Sequence, residues 1–217
     1  MSDIFQEVDE EVRREQLKKL WDRWGNYLIA LAVVVVVGVG GWRGYQWWEA
    51  KRAAETGAAF EAAIALSEQG KHADAEAAFA KIAAEGTTGY YGLALLREGA
   101  ELAKRDPKAA AALYDKTSED SRVAQPLRDL AALRAGALLI DIATYDEVRR
   151  RLEPLTPVGR TFRHSAREFL VLAAWRSGNM SAAKRWIDMI ASDADTPPGV
   201  RSRVEMLTAL IAAEGKV

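Results

Sequence analysis

Apolar and polar positions are distributed very unevenly along this chain. From Trp24 to Trp42 nineteen consecutive residues carry no charged side chain, with Val33 to Val37 at the centre. At 1.5 Å of rise per residue this run forms a helix of roughly 28 Å, close to the hydrocarbon thickness of a bilayer. After Glu49 the pattern changes to short amphipathic stretches of helical period. These fall at 57–69, 90–104, 126–141 and 162–177, and each is followed by a second stretch with a recurring spacing of large and small residues. The spacing reads Ala75, Phe79, Ile82, then Ala110, Tyr114, Thr117, then Val148, Leu152, Leu155, then Ala183, Ile187, Ile190. Steps of four and then three put these side chains on one helical face. Their first members, 75, 110, 148 and 183, lie 35, 38 and 35 positions apart. A pair of helices this small cannot bury its own apolar face, so pairs of this kind stack into a solenoid.

Breaker residues agree with that division. Asp106 before Pro107 predicts a capped helix start with proline at the first helical position. Gly70 and Gly178 predict the ends of first helices. Thr196-Pro197-Pro198-Gly199 separates the fourth pair from a last helix, Val200 to Ala213, which would cap the solenoid. The predicted fold is all-α, an N-terminal transmembrane helix followed by a tetratricopeptide-like repeat solenoid and a C-terminal capping helix. Its predicted parts are a cytoplasmic amphipathic tail at 1–24, a transmembrane helix with its interfacial flank at 25–48, and a periplasmic repeat domain at 49–217.

Aromatic residues flank the apolar run on both sides. Trp21, Trp24 and Tyr27 stand at one end, and Trp42, Tyr45, Trp47 and Trp48 at the other. Such rings prefer the headgroup level of a bilayer. A cleaved signal peptide fits poorly, because the preceding segment is acidic and the exit, Trp42-Arg43-Gly44-Tyr45, offers no small-residue cleavage site. Lys and Arg near the ends set the orientation. Five precede the run (Arg13, Arg14, Lys18, Lys19, Arg23) and three follow it (Arg43, Lys51, Arg52), which places the N-terminus in the cytoplasm. Gly40 and Gly44 form a small-residue pair, with Arg43 between them weighing against close packing in lipid.

Composition narrows the function classes. From Glu49 onward 24 Lys and Arg balance 24 Asp and Glu, so the basic excess of a nucleic-acid-binding surface is missing. The chain has no cysteine, which removes thiolate catalysis and disulfides. His72 and His164 lie far apart with no second ligand at metal spacing, and both read as helix-end or surface residues. Neither a catalytic constellation nor a cofactor is predicted.

Three candidate contact surfaces remain. Arg160, Arg163 and Arg167 share one side at the start of a helix, where cations oppose the macrodipole. Carboxylates of an adjacent repeat, with Asp129 or Glu153 as candidates, offer one compensation, and an acidic partner offers the other. Laid on a repeat register, Leu133, Ala137, Leu172, Trp175 and Arg176 line a protein-binding groove. Trp175 with Arg176 is the usual pairing of a binding hot spot; the alternative is that Trp175, like Trp186, is core. Ile4, Phe5, Val8 and Val12 recur at helical spacing in the tail, with an acidic first half that favours partner docking over lipid.

The period near 34 with its small-large-apolar spacing resembles the tetratricopeptide repeat, with Ala135-Gly136 and Gly178, Met180, Ala183 as the better pieces. The opening is Ile4-Phe5, Glu7 through Arg14, then Trp21 to Gly25 and the apolar run. It resembles the YfgM-type family of bacterial inner-membrane proteins ancillary to the Sec translocon. That resemblance implies a cytoplasmic tail, one span and a periplasmic repeat domain. It further implies SecYEG and periplasmic chaperones as partners, with protein or peptide clients. Another reading of the same surfaces is an assembly scaffold for a different envelope complex, for example in cytochrome maturation.

Overall fold

The structure is a computed structural model that describes residues 3–213, with side chains from residue 13 onward except 15 and 16. Its elements are α1 (Asp3–Glu68), α2 (His72–Glu85), α3 (Thr88–Leu102), α4 (Pro107–Glu119), α5 (Gln125–Leu139), α6 (Tyr145–Leu152), α7 (Arg163–Arg176), α8 (Met180–Ser192) and α9 (Pro198–Ala213). A short 3-10 turn, Glu153–Leu155, extends α6. The chain divides into two compact units, Met1–Arg52 and Ala53–Val217.

The first unit is helical throughout its described residues. Among the described residues one helix, α1, is long and apolar enough to cross a membrane, and its apolar stretch is almost wholly exposed. Val33 to Val37 and the tryptophans at both ends all present their side chains outward. A core helix of a soluble domain would bury that surface, so the composition and the exposure agree on a membrane anchor. Lys51 lies over the Trp47 ring at 5.7 Å, and Arg52 over Trp48 at 5.0 Å.

One boundary differs from the sequence expectation. The tail, the apolar run and the first repeat helix, expected as separate segments, are one uninterrupted helix in α1. The physical reason is local. Glu49 to Glu55 contains only good helix formers, and Gly57 alone costs about 1 kcal/mol, too little to break a long helix.

The second unit is a stack of antiparallel helices, and its repeat residues are its core. Ala75, Phe79 and Ile82 are buried with Ala63 and Ala94, and Phe60 packs on Phe79 and Tyr90 at 5.2 and 5.4 Å. A larger cluster runs from α3 to α9 through Tyr114, Leu139, Val148, Leu152, Leu170 and Ile190. Ile187, expected in the core of α8, is only half-buried, and Trp186 beside it is 3% exposed. The larger ring takes the inward direction because its indole nitrogen donates to the Tyr145 hydroxyl at 2.8 Å, which satisfies both buried polar groups.

Local chemistry sets the helix ends. Asp106 accepts from the Ala109 backbone N–H with Pro107 at the first helical position, as the sequence predicts. Gly70 and Gly178 take φ of +76° and +71°, the left-handed region that favours glycine. Thr144 and Glu147 form a reciprocal capping box at α6, and Asn179 caps α8. Small residues permit the close stacking. A methyl group on Gly136 would stand 2.4 Å from Leu152 Cδ2, and one on Gly99 would stand 2.6 Å from the Tyr114 ring. The last helix packs Val200, Val204 and Ile211 inward.

Candidate protein-binding surface

Several ion pairs and hydrogen bonds link residues of neighbouring repeats. Arg105 holds Glu76 at 2.8 Å, Arg151 holds Asp115 at 2.7 Å and Arg203 holds Glu168 at 2.8 Å. His72 meets Glu101 at 2.7 Å, and the Tyr91 hydroxyl donates to Asp120 at 2.6 Å. Every one of these partners lies 29 to 36 positions away in sequence, which is one repeat. The pattern could have been found by scanning for opposite charges one period apart.

Burial and hydrogen bonding tune these groups. Burial pushes the Glu101 carboxyl up, but hydrogen bonds from Ser67 and His72 outweigh it and hold the group below its ordinary range. The hydrogen bond from Arg122 and that from Tyr91 hold Asp120 far below the usual carboxylate range. Burial pushes Glu98 up, assisted by Glu76.

Of the two compensations expected for Arg160, Arg163 and Arg167, carboxylates within the molecule and an acidic partner, the structure shows the first. Arg160 pairs with Asp129 at 3.2 Å, one of the two carboxylates expected from sequence. Arg163 pairs with Asp193 at 3.1 Å and Asp195 at 3.0 Å. Arg167 is only 3% exposed, pairs with Asp193 at 2.7 Å and donates to the Thr156 carbonyl at 2.8 Å. A guanidinium this deep requires such partners, because an unpaired buried charge is strongly destabilising. Glu153, the other candidate, pairs with Arg149. Sequence inspection overlooked Asp193, which follows the last residue of α8.

His164, expected at a helix end or on the surface, is the second residue of α7, with a side chain only 12% exposed. Burial, and then the nearby Arg163 charge, push its pKa down. His72 opens α2 and remains half-exposed.

The five groove candidates separate by depth. Leu133 belongs to the core cluster at 8% exposure, so it supports α5 from within and does not line a surface. Ala137, Leu172 and Trp175 are half-buried, and Arg176 is exposed. Leu172, Trp175 and Arg176 share one face of α7 by their spacing of three and four. Arg176 reaches back to the turn after α5, where it pairs with the Asp141 carboxylate at 3.5 Å and donates to the backbone oxygens of Asp141 and Ala143. That contact joins α7 to the preceding repeat. The side chains of the tail candidates Ile4, Phe5, Val8 and Val12 lie outside the described residues.

Among the described residues, crevices indent the second unit at two places that bear on function. One, of about 300 Å3, lies between the C-terminal part of α1 and α2, and is lined by Thr56, Ala59, Ala78 and Ile82. The other, of about 400 Å3, lies between α8 and α9. Among the described residues no cluster of three or more His, Asp and Glu side chains could hold a metal ion.

Comparison with protein families matches residues 18–185 to a family described as a tetratricopeptide repeat-like domain. The matched span starts inside α1 and stops inside α8, so α9 lies beyond it. No curated protein and no solved structure matches the chain.

Proposed function

We propose that this chain, which belongs to the tetratricopeptide repeat-like domain family, is a membrane-anchored protein-binding scaffold, and that it works at the Sec translocon, as the resemblance of its opening segment implies, linking exported chains to periplasmic chaperones. The family is a helical scaffold type suited to protein–protein contact and not known for catalysis. One observation carries the proposal. A single chain joins an exposed apolar helix of membrane-spanning length to stacked repeats of a protein-binding family type. The anchor would confine the repeats to the membrane surface, and tethering of this kind raises the effective concentration of a weak partner without new contacts.

The excess of Lys and Arg before the apolar run supports a cytoplasmic N-terminus and a periplasmic repeat domain. Recognition would rest on the α7 face of Leu172, Trp175 and Arg176 together with Ala137 of α5, where aromatic, aliphatic and cationic groups combine as they do at interface hot spots. The tail residues Ile4, Phe5, Val8 and Val12 would dock a cytoplasmic partner.

The test is in-cell photo-crosslinking from positions 175 and 5 of the full chain in intact membranes. Crosslinks from 175 to exported chains, chaperones or translocon subunits are expected. Crosslinks from 175 to a single mature envelope complex would replace this function with an assembly scaffold. Silence at 175 with strong crosslinks at 5 would move the working surface to the tail.

A further inference from the structure

The crevice between α8 and α9 has the features of a self-associating surface. It is lined by Met180, Ala183 and Ile187 from α8 and by Ile211 from α9. Lys184 and Asp188, one helical turn apart on α8, also line it and are 75% and 63% exposed at the side chain. Their contact with each other, 3.7 Å in an exposed i,i+4 geometry, is of the weak kind. Both charges therefore remain available to a partner at little loss.

Inside the molecule one cation–carboxylate pair already links two second helices, Arg151 of α6 with Asp115 of α4 at 2.7 Å. The last second helix, α8, presents a cation and a carboxylate at the crevice, beside the apolar side chains of Ile187 and Ile211. A two-fold axis perpendicular to α8 at position 186 makes this surface complementary to itself. Lys184 then meets Asp188 of the partner subunit, and the reciprocal pair forms by symmetry. α8 of each copy then lies along the crevice of the other and covers its apolar lining.

We propose that the α8–α9 crevice is an isologous dimer interface whose occupant is α8 of a second copy of this chain. Two copies held in one bilayer by α1 share an orientation, so the encounter takes place in two dimensions at raised effective concentration.

The experiment uses two differently tagged full-length copies, co-expressed in membranes and purified in detergent, with self-association read by co-purification and sedimentation. K184E in both copies, or D188K in both, sets like charges opposite each other and should weaken association at least about tenfold. A K184E copy mixed with a D188K copy restores both intermolecular attractions while the contact within each helix stays broken in both. Recovery in that mixture is expected, and only pairing between copies produces it. The chain lacks cysteine, so S181C on one copy and A191C on the other, related by the same axis, should form a disulfide-linked dimer under mild oxidation. Both positions are exposed, which leaves the core undisturbed. A monomeric wild-type chain overturns the proposal and leaves the crevice to a helix of another protein. Association that ignores every change at 184 and 188 overturns it as well.

Discussion

Arg167 of α7 and Asp193, the residue just after α8, meet at 2.7 Å with the guanidinium almost wholly buried. One carboxylate thereby serves two arginines, since Arg163 approaches it at 3.1 Å. Asp193 joins the two helices of the fourth pair.

Replacing that carboxylate should expose its importance. Asp193→Ala leaves Arg167 buried with its charge uncompensated and should destabilise the second unit by about 3 kcal/mol. Urea unfolding followed by circular dichroism measures this, with the midpoint moving and the slope unchanged. Asp195→Ala, which removes only the exposed partner of Arg163, should change stability by less than about 1 kcal/mol.

The same cluster predicts a stepwise loss of stability in acid. His164 has a depressed pKa in the folded state, from burial first and then from Arg163. Its contribution is complete above its unfolded value near 6.5 and is lost as pH falls through the lower folded value. Hydrogen bonds from Arg163 and Arg167 hold the Asp193 carboxyl far below the ordinary range. Its contribution is complete above about pH 4 and is lost only in stronger acid. Melting temperatures measured across pH should therefore fall in two stages, and His164→Asn should abolish the first.

Gly136 is the closest helix approach open to a simple test. An added Cβ would collide with Leu152, a side chain of zero exposure with no room to move aside. Gly136→Ala should cost about 1–3 kcal/mol even though alanine favours helix. In a Leu152→Ala background the same change should cost almost nothing. Additive costs for the two substitutions would refute the clash.

For the anchor, one arginine at the centre of the apolar run is the direct probe. Val35→Arg adds about 3 kcal/mol to the insertion free energy at mid-bilayer depth. The variant should shift from the membrane pellet toward the soluble fraction on alkaline carbonate extraction, while Val158→Arg, on an exposed residue of the repeat unit, should leave the distribution unchanged.

Much of the architecture was legible because two periodicities dominate this chain. A nineteen-residue charge-free run specifies an apolar helix by itself. A period of 35 to 38 residues, carrying the four-then-three spacing, specifies stacked pairs. Asp106, Gly70 and Gly178 marked helix ends because capping and left-handed geometry depend on the residue at that position. The candidate surface was less legible. Leu133 and Trp175 were both expected to line the same groove, yet one is core and the other half-buried. Periodicity assigns a face to a helix and says nothing of how deeply a neighbour covers it.

The sequence by itself determined the all-helical class, the apolar span, the repeat spacing and most of the recurring core positions. Each follows from interactions within a turn or two of helix, or from a hydrophobic pattern that tolerates no alternative. Only the tertiary structure decided that Arg163 and Arg167 turn inward to Asp193, that Trp186 displaces Ile187 from the core, and that α8 and α9 leave a crevice between them. Those outcomes depend on side chains 26 to 41 positions apart meeting at hydrogen-bond distance. Distance along the chain carries no record of such a meeting until the helices are packed.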